Sequence, residues 1–169
     1  MNSPFANIFL SIQQHINDNV AAIKYIDQDL GQLKAKVRIP VSWPCVLIDF
    51  ENFRFRNLAE NVQTAKGIIV LRLGFAPYSS SAAGTPSAYL EQALSYYDIE
   101  WNLHKAMQGW SPGDDFGSLI RISAITQDRT DNYRVRELRY KIAFEDYSTK
   151  WQQQYASVAL MVADEINLP

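Results

Sequence analysis

The stretch from Phe116 to Tyr147, FGSLIRISAITQDRTDNYRVRELRYKIAFEDY, constrains the fold most. Two runs of β-branched and aromatic residues flank a polar turn, the pattern of a long antiparallel hairpin. In the second run Leu138, Tyr140, Ile142 and Phe144 share one face, because side chains alternate along a strand. Arg134 and Arg136 continue that parity, while Glu137, Arg139 and Lys141 lie on the other. With its apolar half displaced toward one end, this strand is expected to project beyond the sheet as a charged edge. Arg134, Arg136, Glu137, Arg139 and Lys141 are therefore the expected subunit-contact residues.

The remaining elements can be placed around this hairpin. Ser3-Pro4 opens a helix in which Phe5, Ile8, Phe9, Ile12 and Ile16 form one apolar stripe, ending near Asn17-Asp18-Asn19. Ile23 to Ile26 is a short candidate strand, and Gln28 to Lys36 reads as loop. Cys45 to Phe50, Phe53 to Leu58 and Ala65 to Phe75 are read as a three-stranded antiparallel meander. A flexible connector, PYSSSAAGT, leads to Thr85-Pro86, a second helix start. Tyr89, Leu90, Ala93, Leu94, Tyr97 and Trp101 give that helix its apolar stripe, with a stop at Gly109. Beyond Thr149, Trp151, Tyr155, Val158 and Val162 recur at helical spacing and predict a C-terminal helix or arm over 149-169.

The sum is an α+β fold: one domain over 1-169, a mostly antiparallel sheet of five or six strands, and two main helices. The 169 residues are enough to bury a core, and 47% apolar with 20% charged residues is an ordinary globular composition. The sequence has no apolar run of the length a membrane-spanning helix needs, about 18 residues. Nor does it begin with a basic, secretion-type segment, so the chain is expected in the cytoplasm with no membrane partner. Cys45 is the only cysteine; it excludes an intrachain disulfide and is expected to be a buried, inert thiol.

No phosphate-cradling loop, zinc-protease pair or nucleophile elbow is present. His15 and His104 fall on different helices and are both expected at the surface. Asp49 and Glu51, two apart on a strand, share a face and could hold a divalent metal, so a metal-dependent nuclease stays open as an alternative. Basic residues cluster at Arg54/Arg56 and along Arg129 to Lys141, but Asp128, Asp131, Glu137, Glu145 and Asp146 punctuate them. Mixed signs suit a protein neighbour better than a phosphate backbone, and no specific nucleic acid is expected.

The order of elements suggests a family. An amphipathic helix leads to a proline-bounded strand region (WPCVLIDFENFRF) and an Ile/Leu-rich strand (GIIVLRLGF); a central helix, a turn and two terminal strands ending in RELRYKIAFEDY follow. Over residues 5-147 this layout resembles the tail-terminator and tail-completion proteins of long-tailed bacteriophages and prophages. The resemblance implies a non-enzymatic virion component without cofactor. It implies self-assembly into a hexameric ring that caps the tail tube and meets the head connector. Such a protein would assemble in the host cytoplasm and end in the virion.

Overall fold

The computed structural model describes residues 3–34, 40–76, 80–131 and 133–150. Its elements are α1 (Pro4–Asn19), β1 (Tyr25–Gln28), β2 (Cys45–Asn57), β3 (Gln63–Phe75), α2 (Ser87–Met107), β4 (Ile120–Thr126) and β5 (Arg134–Asp146). The expected α+β class and mostly antiparallel sheet are found. The sheet has the order β1-β2-β3-β5-β4, with only β1 and β2 parallel. The helix or arm expected over 149-169 lies outside the described residues except for Thr149 and Lys150.

α1 follows its sequence pattern closely. Ile8, Ile12 and Ile16 are fully buried against the sheet, and the helix ends at Asn19. Both helices cover one face of the sheet. There Val46 and Ile48 of β2, Ile69, Leu71, Leu73 and Phe75 of β3, and Leu138, Tyr140, Ile142 and Phe144 of β5 join Leu103 and Met107 of α2 in the main core.

Three expectations are corrected here. The first two strands of the meander are one continuous strand, β2, carrying a bulge between Glu51 and Arg54. Asn52 takes up the bulge in the left-handed region at φ 56°, a conformation asparagine tolerates better than most residues. The extra residue turns Phe53 onto the helix face, where it meets Phe5 edge-on at 4.9 Å. Gly67 opposite leaves room for its ring, since a Cβ there would overlap it.

The second correction concerns α2. Of the expected stripe only Ala93 is buried, whereas Tyr89, Leu94, Tyr97 and Trp101 are exposed. The buried side is instead Ala93, Glu100, Leu103 and Met107, with Tyr96, Ile99 and Ala106 packed beside them. α2 is apolar on two sides, and periodicity alone does not say which one the sheet takes.

The third concerns β5. It does not project: it pairs with β3 along its whole length, from Gln63↔Asp146 to Phe75↔Arg134, and with β4 on its other side. Among the described residues the edge strands of the sheet are β1 and β4.

Candidate functional site

Because β5 is interior, its charged rungs face the two sides of the sheet rather than an edge. On the helix side Arg136 makes a bidentate pair with Glu100 of α2, Nε to Oε2 at 2.7 Å and Nη2 to Oε1 at 2.8 Å. Its Nη1 also donates to Thr126 Oγ1 of β4. The hydrogen bond to Glu100 raises the Arg136 pKa against the opposing effect of burial. Arg134 lies over the Tyr96 ring at 4.0 Å, a cation–π contact with α2. These two arginines tie α2 to β5 and β4.

Glu137 and Arg139 point to the opposite face, where none of the described helices lies. They join a ladder centred on Arg72 of β3. The register places Arg72 beside Leu47 of β2 and Glu137 of β5, and Asp49 and Glu51 follow Leu47 on the same side of β2. Arg72 bonds Asp29, donates from Nη1 to Asp49 Oδ2 at 3.0 Å, and donates from Nη2 to Glu51 Oε1 at 3.1 Å. Its Nε lies 3.4 Å from Glu137 Oε2. Arg139 in turn bonds both Glu137 and Glu51.

Burial works against the charge on Arg72, Glu137 and Arg139, and the partners outweigh it. The Arg72 guanidinium loses hydration, yet the bond to Asp49 and the charges of Asp29 and Glu137 leave its pKa raised. Burial pushes the Glu137 carboxyl up, while the Arg139 and Gln127 hydrogen bonds and the Arg72 charge bring it below its ordinary value.

Asp49 and Glu51 do share a face, as their spacing requires. The gap a divalent cation would fill is occupied by the Arg72 guanidinium. Among the described residues no group of three or more His, Cys, Asp or Glu is arranged to hold a metal ion. Sequence reasoning missed Arg72; the available signal was a lone cation inside the apolar run GIIVLRLGF.

The histidines are also engaged within the fold, contrary to the expected surface positions. His15 Nε2 lies 2.9 Å from the Ala106 carbonyl, and its ring stacks on Trp110 at 4.1 Å. His104 Nδ1 lies 3.3 Å from the Tyr140 hydroxyl. Burial, with Arg121 nearby, holds the His104 pKa below its usual value. Cys45 is buried as expected, and burial pushes its thiol up to about 11. A cleft of about 510 Å³ between the β3 and β5 ends is lined by Thr64, Lys66, Asp115 and Glu145, with no histidine or cysteine in its wall.

The two surfaces left over are apolar. Along the β4 edge Ile120, Ile122 and Ile125 are each 42–49% exposed. Gln108 caps one edge amide, at Arg121, and among the described residues no strand pairs with the outer side of β4. The other edge is blunter: β1 has four residues, and Gln13 of α1 donates to its Ile26 carbonyl. The second apolar surface is the outer stripe of α2. No described helix is long and apolar enough to cross a membrane.

No family model and no curated protein sequence matches this chain. Among solved structures, a chain described as "Virion of native gene transfer agent (GTA) particle" is similar at a TM-score of 0.47 and 11% identity. The match covers 86% of this chain and 99% of that one.

Proposed function

We propose that this chain is a non-enzymatic structural protein of a phage-like particle, a tail-terminator or tail-completion subunit. In this reading it closes into a ring that caps a tail tube and meets the head connector, after assembly in the host cytoplasm. The order of elements over residues 5-147 supports it. The observation that carries it is the open β4 edge. A strand edge with free backbone groups and exposed isoleucines is a ready pairing template, and soluble proteins normally blunt such edges with charge, proline or a covering element. Pairing of one copy's edge with a different surface of the next is a head-to-tail contact, and repetition of that contact closes a ring when the rotation between copies divides a full turn.

Of the five charged residues first assigned to the contact, Lys141 is exposed and pairs in register with Ile120 of β4. In this reading it is the one that would meet a neighbour directly. Arg134, Arg136, Glu137 and Arg139 would serve the contact from within, by holding β5, the strand next to β4, to α2, β2 and β3.

Solution mass by light scattering, alone and with isolated tail tubes, tests the proposal. The unaltered chain is expected as a multi-subunit ring, free or tube-bound. Ile122→Lys with Ile125→Lys should abolish that species while the far-ultraviolet circular dichroism stays unchanged. An unaltered chain that remains a monomer at high concentration and does not bind tubes would refute it.

A further inference from the structure

Arg54 and Arg56, a basic pair in the sequence, take no part in the ladder or the core. β1 pairs with β2 only from Cys45 to Ile48, so among the described residues no strand covers the outer side of β2 beyond that point. On the inner side the register runs on through Arg54↔Lys66, Phe55↔Ala65 and Arg56↔Thr64. Ala65 belongs to the main core, so alternation turns Arg54, Arg56, Thr64 and Lys66 to the face opposite the helices. Phe55 stays on the helix side, edge-on to Phe5 at 6.5 Å, and is still 47% exposed. Around the uncovered end of β2, Arg54, Phe55, Arg56, Thr64 and Lys66 together line an open groove of about 470 Å³.

Acids interrupt the basic runs in the sequence, but the fold commits them elsewhere. Glu51 and Glu137 are held by Arg72 and Arg139, Asp131 by Arg129, and Glu60 of the adjacent turn by Lys150. Arg54, Arg56 and Lys66 are exposed, and among the described residues none of the three has an ion-pair partner. Glu145, opposite Thr64 on β5, is the acid that borders them. Strand geometry sets Arg54 about 6.6 Å from Arg56 along β2 and about 4.8 Å from Lys66 across the pair. Cations this close meet successive phosphates of a nucleic-acid backbone. An acidic protein face is a poorer match, because protein contacts draw their strength from a packed apolar centre and the groove has a single ring. Single-stranded nucleic acid uses both features, its phosphates on the cations and an unpaired base on the aromatic face. A duplex keeps its bases stacked inside and would use the cations alone.

We infer that this groove is a sequence-independent site for single-stranded nucleic acid, with phosphates on Arg54, Arg56 and Lys66 and a base against Phe55. The site goes beyond the proposed self-assembly and does not depend on it, since a chain that never closes into a ring still carries the groove.

Fluorescence anisotropy of a labelled oligothymidylate, titrated with the full-length chain, tests it. With three phosphate contacts, binding should weaken about twentyfold between about 50 and about 200 mM salt. Arg54→Gln, Arg56→Gln and Lys66→Gln together should abolish the binding with the far-ultraviolet circular dichroism unchanged. Phe55→Ala should weaken it about tenfold without altering the salt dependence, and Phe55→Tyr should restore it. Absence of binding at the lower salt overturns the inference. A duplex of the same length that binds as tightly, with no response to Phe55→Ala, overturns it as well, because phosphate contact alone would then suffice. Polyglutamate that competes as well as unlabelled oligothymidylate also overturns it and makes an acidic protein the partner. Light scattering of the unaltered chain reports the ring separately, so either result can fail while the other stands.

Discussion

On the helix-covered face of the sheet, Ile69, Leu71, Leu138 and Tyr140 are fully buried among the side chains of α1 and α2. On the opposite face of the same strands, Arg72, Glu137 and Arg139 form a ladder with Asp49 and Glu51, and Asp29 closes it from the loop after β1. Both faces exclude water from much of their centre, by different means. The first is held by area and shape, and its energy is spread over many weak contacts. The second depends on every charge keeping its partner, because a desolvated ion without one costs several kcal/mol. Removal of one side chain should therefore cost more on the ladder than on the apolar face.

Arg72→Met gives the largest expected effect. It leaves Asp29, with a side chain only 7% exposed, without its cation. A loss of about 3–5 kcal/mol in unfolding free energy is expected from urea titration. Addition of Asp29→Asn should recover part of that loss, a coupling that a double-mutant cycle would read directly. Equal losses in the single and double variants would mean that Arg72 acts by packing alone.

On the apolar face Ile12→Ala removes a fully buried branched side chain between α1 and the sheet. The expected loss is about 3 kcal/mol, and Ile12→Leu should recover most of it because the volume is conserved. No comparable volume-conserving rescue exists for Arg72. A lysine there would keep the charge but lose the planar fork that reaches Asp49 and Glu51 together. A smaller loss, about 2 kcal/mol, is expected for Gly67→Ala, whose methyl group would overlap the Phe53 ring. Phe53→Leu should relieve it, and absence of any loss would mean that the ring moves aside freely.

The same contrast explains what could be read in the sequence. The covered face was legible where one stripe stood against polar neighbours: Ile8, Ile12 and Ile16 on α1, and Leu138 to Phe144 on β5. α2 was misread because it has two apolar sides, and the buried one includes Glu100, which pattern reasoning discards. β2 was split in two because the bulge at Asn52 reverses the alternation and looks like a new strand. The ladder was legible only in part. Parity placed Asp49 with Glu51 and Glu137 with Arg139, but sheet order is not encoded in parity. With β5 taken as an edge, Glu137 and Arg139 had no Arg72 to meet, and contact with another subunit was the only partner left for them. The edge on that side of the sheet is β4, whose Ile120, Ile122 and Ile125 are exposed.

pH offers the gentlest way to separate the faces, since each carries one group whose pKa is lowered. On the covered face His104 titrates below its ordinary 6.5, and on the ladder Glu137 titrates below its ordinary 4.5. In both cases the unfolded chain binds the proton more tightly than the folded one. Stability is therefore complete above the unfolded value and is lost as pH falls through the folded one. Acidification from pH 7 should first erode stability just below 6.5 through His104, and again below 4.5 through Glu137. Thermal midpoints across that range should fall in two steps. His104→Gln should flatten only the upper step, and Glu137→Gln only the lower. A Glu137→Gln chain that keeps the full slope below pH 4.5 would assign that acid sensitivity to other carboxylates, and the ladder would then contribute to stability without governing its pH dependence.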